Sequence, residues 1–375
     1  MTSSQFYLLA GGILASVGCG NTIGDSVGST RAELSAVPSH SSPYYFEYPT
    51  APEIWWEVGV STIGELDSAL DTARSEGHTR IYFTSTVVAP TYDVNLEAMN
   101  DIRLEVNGSE LGSVILGDGT QRIEIVGGIF NSVQFLEPSF TISGSPCDEP
   151  VLDVGIVGSK ITNWRGDDAA IDIRYAHRVL IWANDIESPR YSIYAGNGFG
   201  CESEYVGVFE NDLISYQTVG LQRESTVRLI DVLGSVLERN TLTNEGFTTE
   251  EIKHNYRVHG SSRFNHAFDN YLNNGGVAIG TCTASTCGVD AVSDQHFHTN
   301  VTCNTAPELF KVHRTQTSYA TVTNNLAYSD TWSSYVEIGG PGSGVPTSWT
   351  ISDNSVVAFD AVACPLPFRG SSYAP

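Results

Sequence analysis

The sequence predicts an all-β chain: one parallel β-solenoid of about ten or more coils, preceded by a capping helix. Three observations carry this prediction. First, an asparagine follows one short alternating strand after another, at Asn107, Asn131, Asn163, Asn184, Asn211, Asn240, Asn270, Asn300, Asn325 and Asn354. The intervals are 24, 32, 21, 27, 29, 30, 30, 25 and 29 residues. A repeated strand–Asn–apolar unit of irregular period is what stacked coils require. At each corner an Asn tolerates a left-handed backbone and bonds its equivalent one coil away. A β-sandwich would instead show Asn-Gly hairpins at intervals of about 8–12 residues. Second, charged residues make up only 17% of the chain, which also carries 36 glycines, a composition unsuited to long helices. Third, only one stretch, after Thr62, has clear helical periodicity.

The charge balance limits the partners. With 19 Lys and Arg against 43 Asp and Glu the net charge is −24, so the chain lacks the basic field that a nucleic acid needs. Hydrophobic residues at 41% are enough for a real core and exclude global disorder.

At the N-terminus, Phe6–Val17 is apolar but too short to span a bilayer, which takes ~20 residues. It runs into Ser16-Val17-Gly18-Cys19, small residues ending in a cysteine, and resembles a bacterial lipoprotein signal. Residues 1–19 are therefore expected to be a lipoprotein-type or secretory signal, with Cys19 as the lipidation site. Residues 20–50 form a Ser/Gly-rich tether and residues 51–375 the β-helix domain. The expected protein is exported, either surface-anchored or secreted, monomeric, and in touch with a membrane only through a lipid on Cys19. Removing Cys19 leaves six cysteines, an even number suited to an oxidising compartment. The local pair Cys282–Cys287 is expected to bond. Cys147–Cys201 and Cys303–Cys364 are one of several arrangements for the rest.

Within the cap (residues 61–75), Thr62 and Glu65 have capping-box spacing, and Leu66, Ala69, Leu70 and Ala73 follow on one helical face. Trp55-Trp56 is expected to close this end of the rod.

Strand alternation then selects an outward-facing stripe. Aligning AAIDIRY, YSIYAG, VGLQRE, NYRVHG, GVAIG, LFKVHR and YVEIG places Ile171, Ile173, Ile193, Leu221, Val258, Val277, Ile279, Phe310 and Val312 inside. Outside lie Asp172/Arg174, Ser192/Tyr194, Gln222/Glu224, Arg257/His259, Ala278/Gly280, Lys311/His313 and Glu337. Ala278 and Gly280 are expected to leave a dip between two basic pairs. Residues 160–263 hold 11 of the 19 Lys and Arg, with Lys253-His254-Asn255-Tyr256-Arg257-Val258-His259-Gly260 the densest basic run. A basic stripe on an acidic rod suits an acidic, uronate-containing polysaccharide. Its β-elimination requires neutralising the carboxylate, removing the C5 proton and protonating the departing O4. The expected catalytic set is Arg257, His259, Lys253, Lys311, His313 and Tyr194: Arg257 and Lys311 on the carboxylate, His259 or His313 as base, Tyr194 as acid. Arg174, Gln222, His254 and Arg263 are expected to bind substrate. His296-Phe297-His298 places two histidines on one strand face, with no third ligand evident.

The cap helix followed by IRLEVNGSEL and RIEIVGGIF resembles the right-handed parallel β-helix proteins of the pectate-lyase-like superfamily, over about residues 55–360. The resemblance implies a right-handed coil. Its activities range over lyases, glycoside hydrolases, esterases, adhesins and phage tailspikes. Gly166-Asp167-Asp168 through Asp172, followed by VLIWAND, is similar to the stretch in which pectate lyases bind Ca²⁺, implying a calcium site at Asp167, Asp168 and Asp172. The lyases' catalytic R-x-P-x-x-R-x-G has no counterpart. Asp167-Asp168 also resembles the paired acids of polygalacturonase-type hydrolases, without their G-H-G and R-I-K. A polysaccharide lyase is thus expected first, a non-catalytic surface glycan-binding or envelope β-helix second, and a hydrolase using Asp167/Asp168 third.

Overall fold

In the computed structural model, parallel pairing joins each strand to its equivalent one coil later, producing three stacked sheets of 12, 11 and 10 strands. The structure describes residues 47–136, 150–166, 168–196, 201–216, 225–245, 254–280, 292–303, 310–312, 318–330, 334–338, 349–359 and 364. One coil shows the plan. Val151–Val157 lies in the 12-stranded sheet A, Lys160–Ile161 in the 11-stranded sheet B and Ala169–Ile173 in the 10-stranded sheet C. Ala176–Trp182 then returns to sheet A, where Val154 pairs with Val179. Inward-facing Ile102, Ile123, Val154, Val179 and Val206 stack as a continuous apolar column, each fully buried. The expected all-β parallel β-helix is the observed fold.

The helix Ile63–Glu76 buries Leu66, Ala69, Leu70 and Ala73 in the same core, beside the first strand of sheet A, Trp56–Val60. Thr62 Oγ1 accepts from the Glu65 N–H (3.2 Å), as the capping box requires. The reciprocal bond is shifted by one residue: Glu65 Oε2 accepts from the Ser61 N–H at 2.6 Å. Trp55 and Trp56 do not close the end. Both are about 60% exposed, and Trp55 stacks on His78 with ring centroids 3.7 Å apart.

Seven of the ten repeat asparagines form one ladder at the corner between sheets A and B. From Asn184 through Asn211, Asn240, Asn270, Asn300, Asn325 and Asn354, each Nδ2 donates to the next Oδ1 at 2.8–3.0 Å. The same Oδ1 also accepts the previous Asn's backbone N–H. Each ladder Asn further donates to a carbonyl of the preceding coil, as Asn184 does to Ile156 O (2.9 Å). Every polar atom of these buried amides is thereby used. The left-handed residue is not the Asn but the one before it: Ala183, Glu210, Arg239, Asp269, Thr299, Asn324 and Asp353 have φ of 54–57°. Asn131 and Asn163 sit instead between sheets B and C, donating to Ser113 and Ser188. Asn107 lies at the A–B corner of an earlier coil and bonds Phe83 O. In the coil before Asn184 the ladder position is Ser159, whose N–H caps the column on Asn184 Oδ1 (2.9 Å).

The outer face of sheet A is also packed. Leu180, Phe209, Val236 and Phe268 form a second apolar cluster outside the coil, joined by Trp182 and Tyr48. Residues 47–50, the last of the expected tether, dock here. Tyr48 stacks on Phe209 (6.2 Å) and the Thr50 N–H donates to Asp153 Oδ1 (2.8 Å). Asp153 is bridged by Arg178, as Asp101 is by Arg122. Cys303 and Cys364 form a disulfide, and Cys201 is also disulfide-bonded. Cys19, Cys147, Cys282 and Cys287 lie outside the described residues.

Candidate functional site

Sheet C carries the stripe. Its pairing places Asp172, Tyr194, Arg228, Arg257, Ala278, Lys311 and Glu337 in one row across successive coils. The residues on either side of each, such as Ile171/Ile173, Val227/Leu229 and Tyr256/Val258, are buried in the core. Asp172, Tyr194, Arg228 and Arg257 therefore point outward. Arg257 and Lys311 are two strands apart with Ala278 between them, as expected. Ala278 itself is fully buried, so no open dip separates them.

Arg228 is the residue that sequence reasoning missed. The stretch Val219–Glu224 alternates as well as Ser225–Ile230, but the latter is the strand that pairs between Tyr194 and Arg257. Tyr191, which opens the Tyr191–Ala195 strand, and Arg190 just before it complete the group.

The side chains interlock. Arg174 holds Asp172 through Nε–Oδ1 at 2.7 Å and Nη2–Oδ2 at 2.8 Å, and reaches Asp168 Oδ2 at 3.9 Å. Arg190 pairs with Asp168. Arg174 lies over the Tyr194 ring (4.7 Å), Arg190 over Tyr191 (5.5 Å), and Arg228 over both Tyr191 (5.4 Å) and Tyr194 (6.0 Å). Arg228 Nη1 bonds the Tyr191 hydroxyl, and its Nε donates to His259 Nε2 (2.9 Å). Among the described residues the guanidiniums of Arg174, Arg190, Arg228 and Arg257 thus stand with the carboxylates of Asp168, Asp172 and Asp231, on a chain of net charge −24.

Two groups in the cluster are shifted. Burial pushes the Tyr194 phenol above its usual range, against the pull of Arg174 and Arg228. His259 is driven down to about 2, by burial first and then by the Arg228 and Arg257 charges. Its ring is neutral at physiological pH, with Nε2 engaged as an acceptor from Arg228.

Several expectations need correction. His259 is not an outward, solvent-facing base: it is 7% exposed, and so weak a base does not take a proton near neutral pH. His254 is buried at 5% and does not line the stripe. Ser192 is buried, its Oγ donating to Ile214 O. Arg263 belongs to sheet A, a different face, where it pairs with Glu202 (2.7 Å). Arg178 and Arg239, part of the basic enrichment over residues 160–263, are also held by carboxylates of sheet A. Lys253, Gln222, His313 and Asp167, and the side chain of Lys311, lie outside the described residues. The described part of the expected calcium set does not fit Ca²⁺, because guanidiniums already occupy the faces of Asp168 and Asp172 that a cation would take.

No family model and no curated protein sequence matches the chain. Among solved structures, it is similar to a pectate lyase from a Bacillus species crystallised with trigalacturonate, at 12% identity over 81% of this chain and 91% of that one, with a TM-score of 0.35. It is also similar to a doubly substituted pectate lyase from Xanthomonas campestris, at 15% identity over 87% of this chain and 90% of that one, with a TM-score of 0.33. The parallel β-helix rests on the strand pairing of the chain itself.

Proposed function

We propose that this chain is an exported polysaccharide lyase that binds an acidic, uronate-containing glycan across sheet C and cleaves it by β-elimination. The observation that carries this reading is the in-register row Tyr194–Arg228–Arg257, flanked by Arg174 and Arg190. Successive members repeat at the strand spacing of ~4.8 Å, comparable with the length of one sugar unit, so a glycan lying along the rod meets a guanidinium or an aromatic face at each step. Arg228 and Arg257 would neutralise a uronate carboxylate and stabilise the enolate formed when the C5 proton leaves. Tyr194, its phenol kept protonated by burial, is the proton donor to O4. His259 is recast as a positioning residue whose neutral ring orients Arg228. His313 is left as the candidate base, with Lys311 beside Arg257 on the carboxylate and Lys253 in the catalytic set. The Cys303–Cys364 disulfide suits an oxidising compartment, in keeping with export and with Cys19 as a lipid-bearing residue.

A second reading is a glycan-binding β-helix without turnover. What favours it is that His259, the only histidine bonded to this cluster among the described residues, is too weakly basic to abstract a proton.

The test is ultraviolet absorbance of unsaturated uronides after incubation with pectate, alginate, glucuronan and glycosaminoglycans. Turnover of one member is expected, reduced about 10–100-fold in Arg228→Gln by loss of a charge-assisted contact. No unsaturated product from any member overturns the lyase. Retention of the chain on those glycans without product establishes the second reading.

A further inference from the structure

The residues just before the cap lie as a strap across the outer face of sheet A. The Trp55 and Trp56 N–H groups donate to His78 O, the Glu53 N–H to Asp101 Oδ1 (3.0 Å) and the Thr50 N–H to Asp153 Oδ1 (2.8 Å). Tyr48 then stacks on Phe209, and the Glu47 carboxylate comes within 4.0 Å of the Arg178 guanidinium. Going back from Trp55 to Tyr48, the chain crosses from the strand Thr79–Phe83 to the strand Ser203–Phe209, five intervals away in sheet A. Five intervals of ~4.8 Å make about 24 Å, the same as seven extended residues at ~3.4 Å. The strap is therefore extended, as Pro49 and Pro52 favour, and it crosses the strands at a steep angle.

It follows a track built into the sheet. Strand register places Asp101, Arg122, Asp153 and Arg178 at one position of successive coils, each with a left-handed backbone. Arg122 bridges Asp101 and Arg178 bridges Asp153, and the strap's backbone rests on both carboxylates. Past Tyr48 the same track continues through Tyr205, Gly234 and Phe264, again left-handed, with Phe264 42% exposed. Beside it the outward-facing Val236 and Phe268 prolong the apolar face of Leu180 and Phe209. The bed is thus charged under residues 47–53 and apolar and aromatic beyond them. The chain changes in the same way. Residues 20–42 contain no Phe, Tyr or Trp, as a flexible linker requires, whereas Tyr44, Tyr45, Phe46 and Tyr48 crowd into five positions after Pro43. So many aromatic rings suit burial against a surface.

We propose that the outer face of sheet A beyond Tyr48 is a docking surface for this chain's own residues 44–46. The described strap ends on this face and points along it, so its continuation is the occupant nearest to hand. Carried on in extended form, Phe46 falls about 7 Å past Tyr48, between the strands Val232–Glu238 and Arg263–Phe268, and Tyr44 about 13 Å past it. Alternation turns Phe46 and Tyr44 to the sheet with Tyr48 and leaves Tyr45 facing out. Gly234, without a side chain, leaves room for the Phe46 ring beside Phe264. Docking on sheet A keeps residues 20–43 off sheet C, and the proposal does not depend on what the arginine row binds.

The experiment uses the full chain with photoreactive benzoylphenylalanine in place of Phe46, irradiated in dilute solution, with the cross-linked peptides mapped by mass spectrometry. A cross-link within one chain to Val232–Glu238 or Arg263–Phe268 is expected. Cross-links to other parts of the chain, cross-links only between two chains, or none at all overturn the proposal; the second result would seat another copy on this face. In parallel, Phe46→Ser should raise the fluorescence of a dye that binds apolar surface, because it uncovers Val236 and Phe268, whereas Tyr45→Ser should not. Circular dichroism checks that both variants keep the fold, and equal dye binding by the two overturns the proposal as well.

Discussion

His259 gives the sharpest test of the candidate site, because its environment ties local chemistry to whole-chain stability. The perturbation is His259→Gln, which keeps an acceptor for Arg228 Nε but removes the titrating ring. In the unfolded chain the histidine titrates near 6.5, whereas in the folded chain it is held at about 2. Between those values the unfolded state binds a proton that the folded state refuses, so stability rises with pH and falls as the solution is acidified. The slope is about 1.4 kcal/mol per pH unit, and from pH 7 to pH 5 this residue alone removes about 2 kcal/mol. The assay is equilibrium urea unfolding of wild type and variant at pH 7, 6 and 5. The wild type should lose about 2 kcal/mol more than the variant over that range, and the difference should vanish above pH 7. Other histidines titrate in both proteins and cancel in the comparison. Parallel pH profiles, or an NMR midpoint for His259 above about 5, would falsify the buried neutral ring and with it the assignment of Arg228 as donor.

Two further predictions concern the scaffold. Asn240→Ala removes the acceptor of the Asn211 backbone N–H and leaves its Nδ2 only the carbonyls of Ile181 and Phe209. It also deletes the Asn240 amide's own bonds to Val208 O and Asn270 Oδ1, at about 1–3 kcal/mol for each buried group left unpaired. A loss of about 2–5 kcal/mol in urea unfolding is expected, against about 1 kcal/mol for Asn107→Ala outside the ladder; equal losses would refute the ladder. The Cys303–Cys364 bond spans 61 residues, so Cys364→Ser should cost about 4 kcal/mol in the loop-entropy account. In a solenoid that loss is expected to be local. Hydrogen exchange should quicken in Ser318–Thr323 and Trp349–Ser352 while Ala176–Trp182 stays protected, and uniform quickening would contradict it.

The repeat was legible because a ladder constrains residue identity. An amide that must accept twice and donate twice at each coil leaves Asn as the natural side chain, so Asn184 through Asn354 recur visibly. Asn131 and Asn163 were drawn into the same series because a single sequence cannot tell one corner of a coil from another. Outside the ladder Asn107 and Asn163 are themselves left-handed, with φ of 45° and 39°, as the repeat predicts; within it the left-handed residue lies one position earlier. Sharp turning is carried by the position before the Asn, filled by residues as different as Ala183, Glu210 and Arg239.

The sequence by itself determined the all-β solenoid, the helix after Thr62 with its four buried residues, and most of the aligned strands of sheet C, though not Ser225–Ile230, since these follow from periodicity and local hydrogen bonding. It also marked Arg257, Tyr194 and Arg174 as outward-facing, because alternation is a property of one strand. Only the tertiary structure decided which coil contributes Arg228, that Arg263 faces elsewhere, that His259 is buried beneath its neighbours, and that His266 joins His296 and His298. Each of those depends on pairing between segments about 30 residues apart, as Arg228 with His259 (31) and His266 with His298 (32). Coil lengths vary with the connecting loops, and no local pattern records how far one strand must travel before it meets the next.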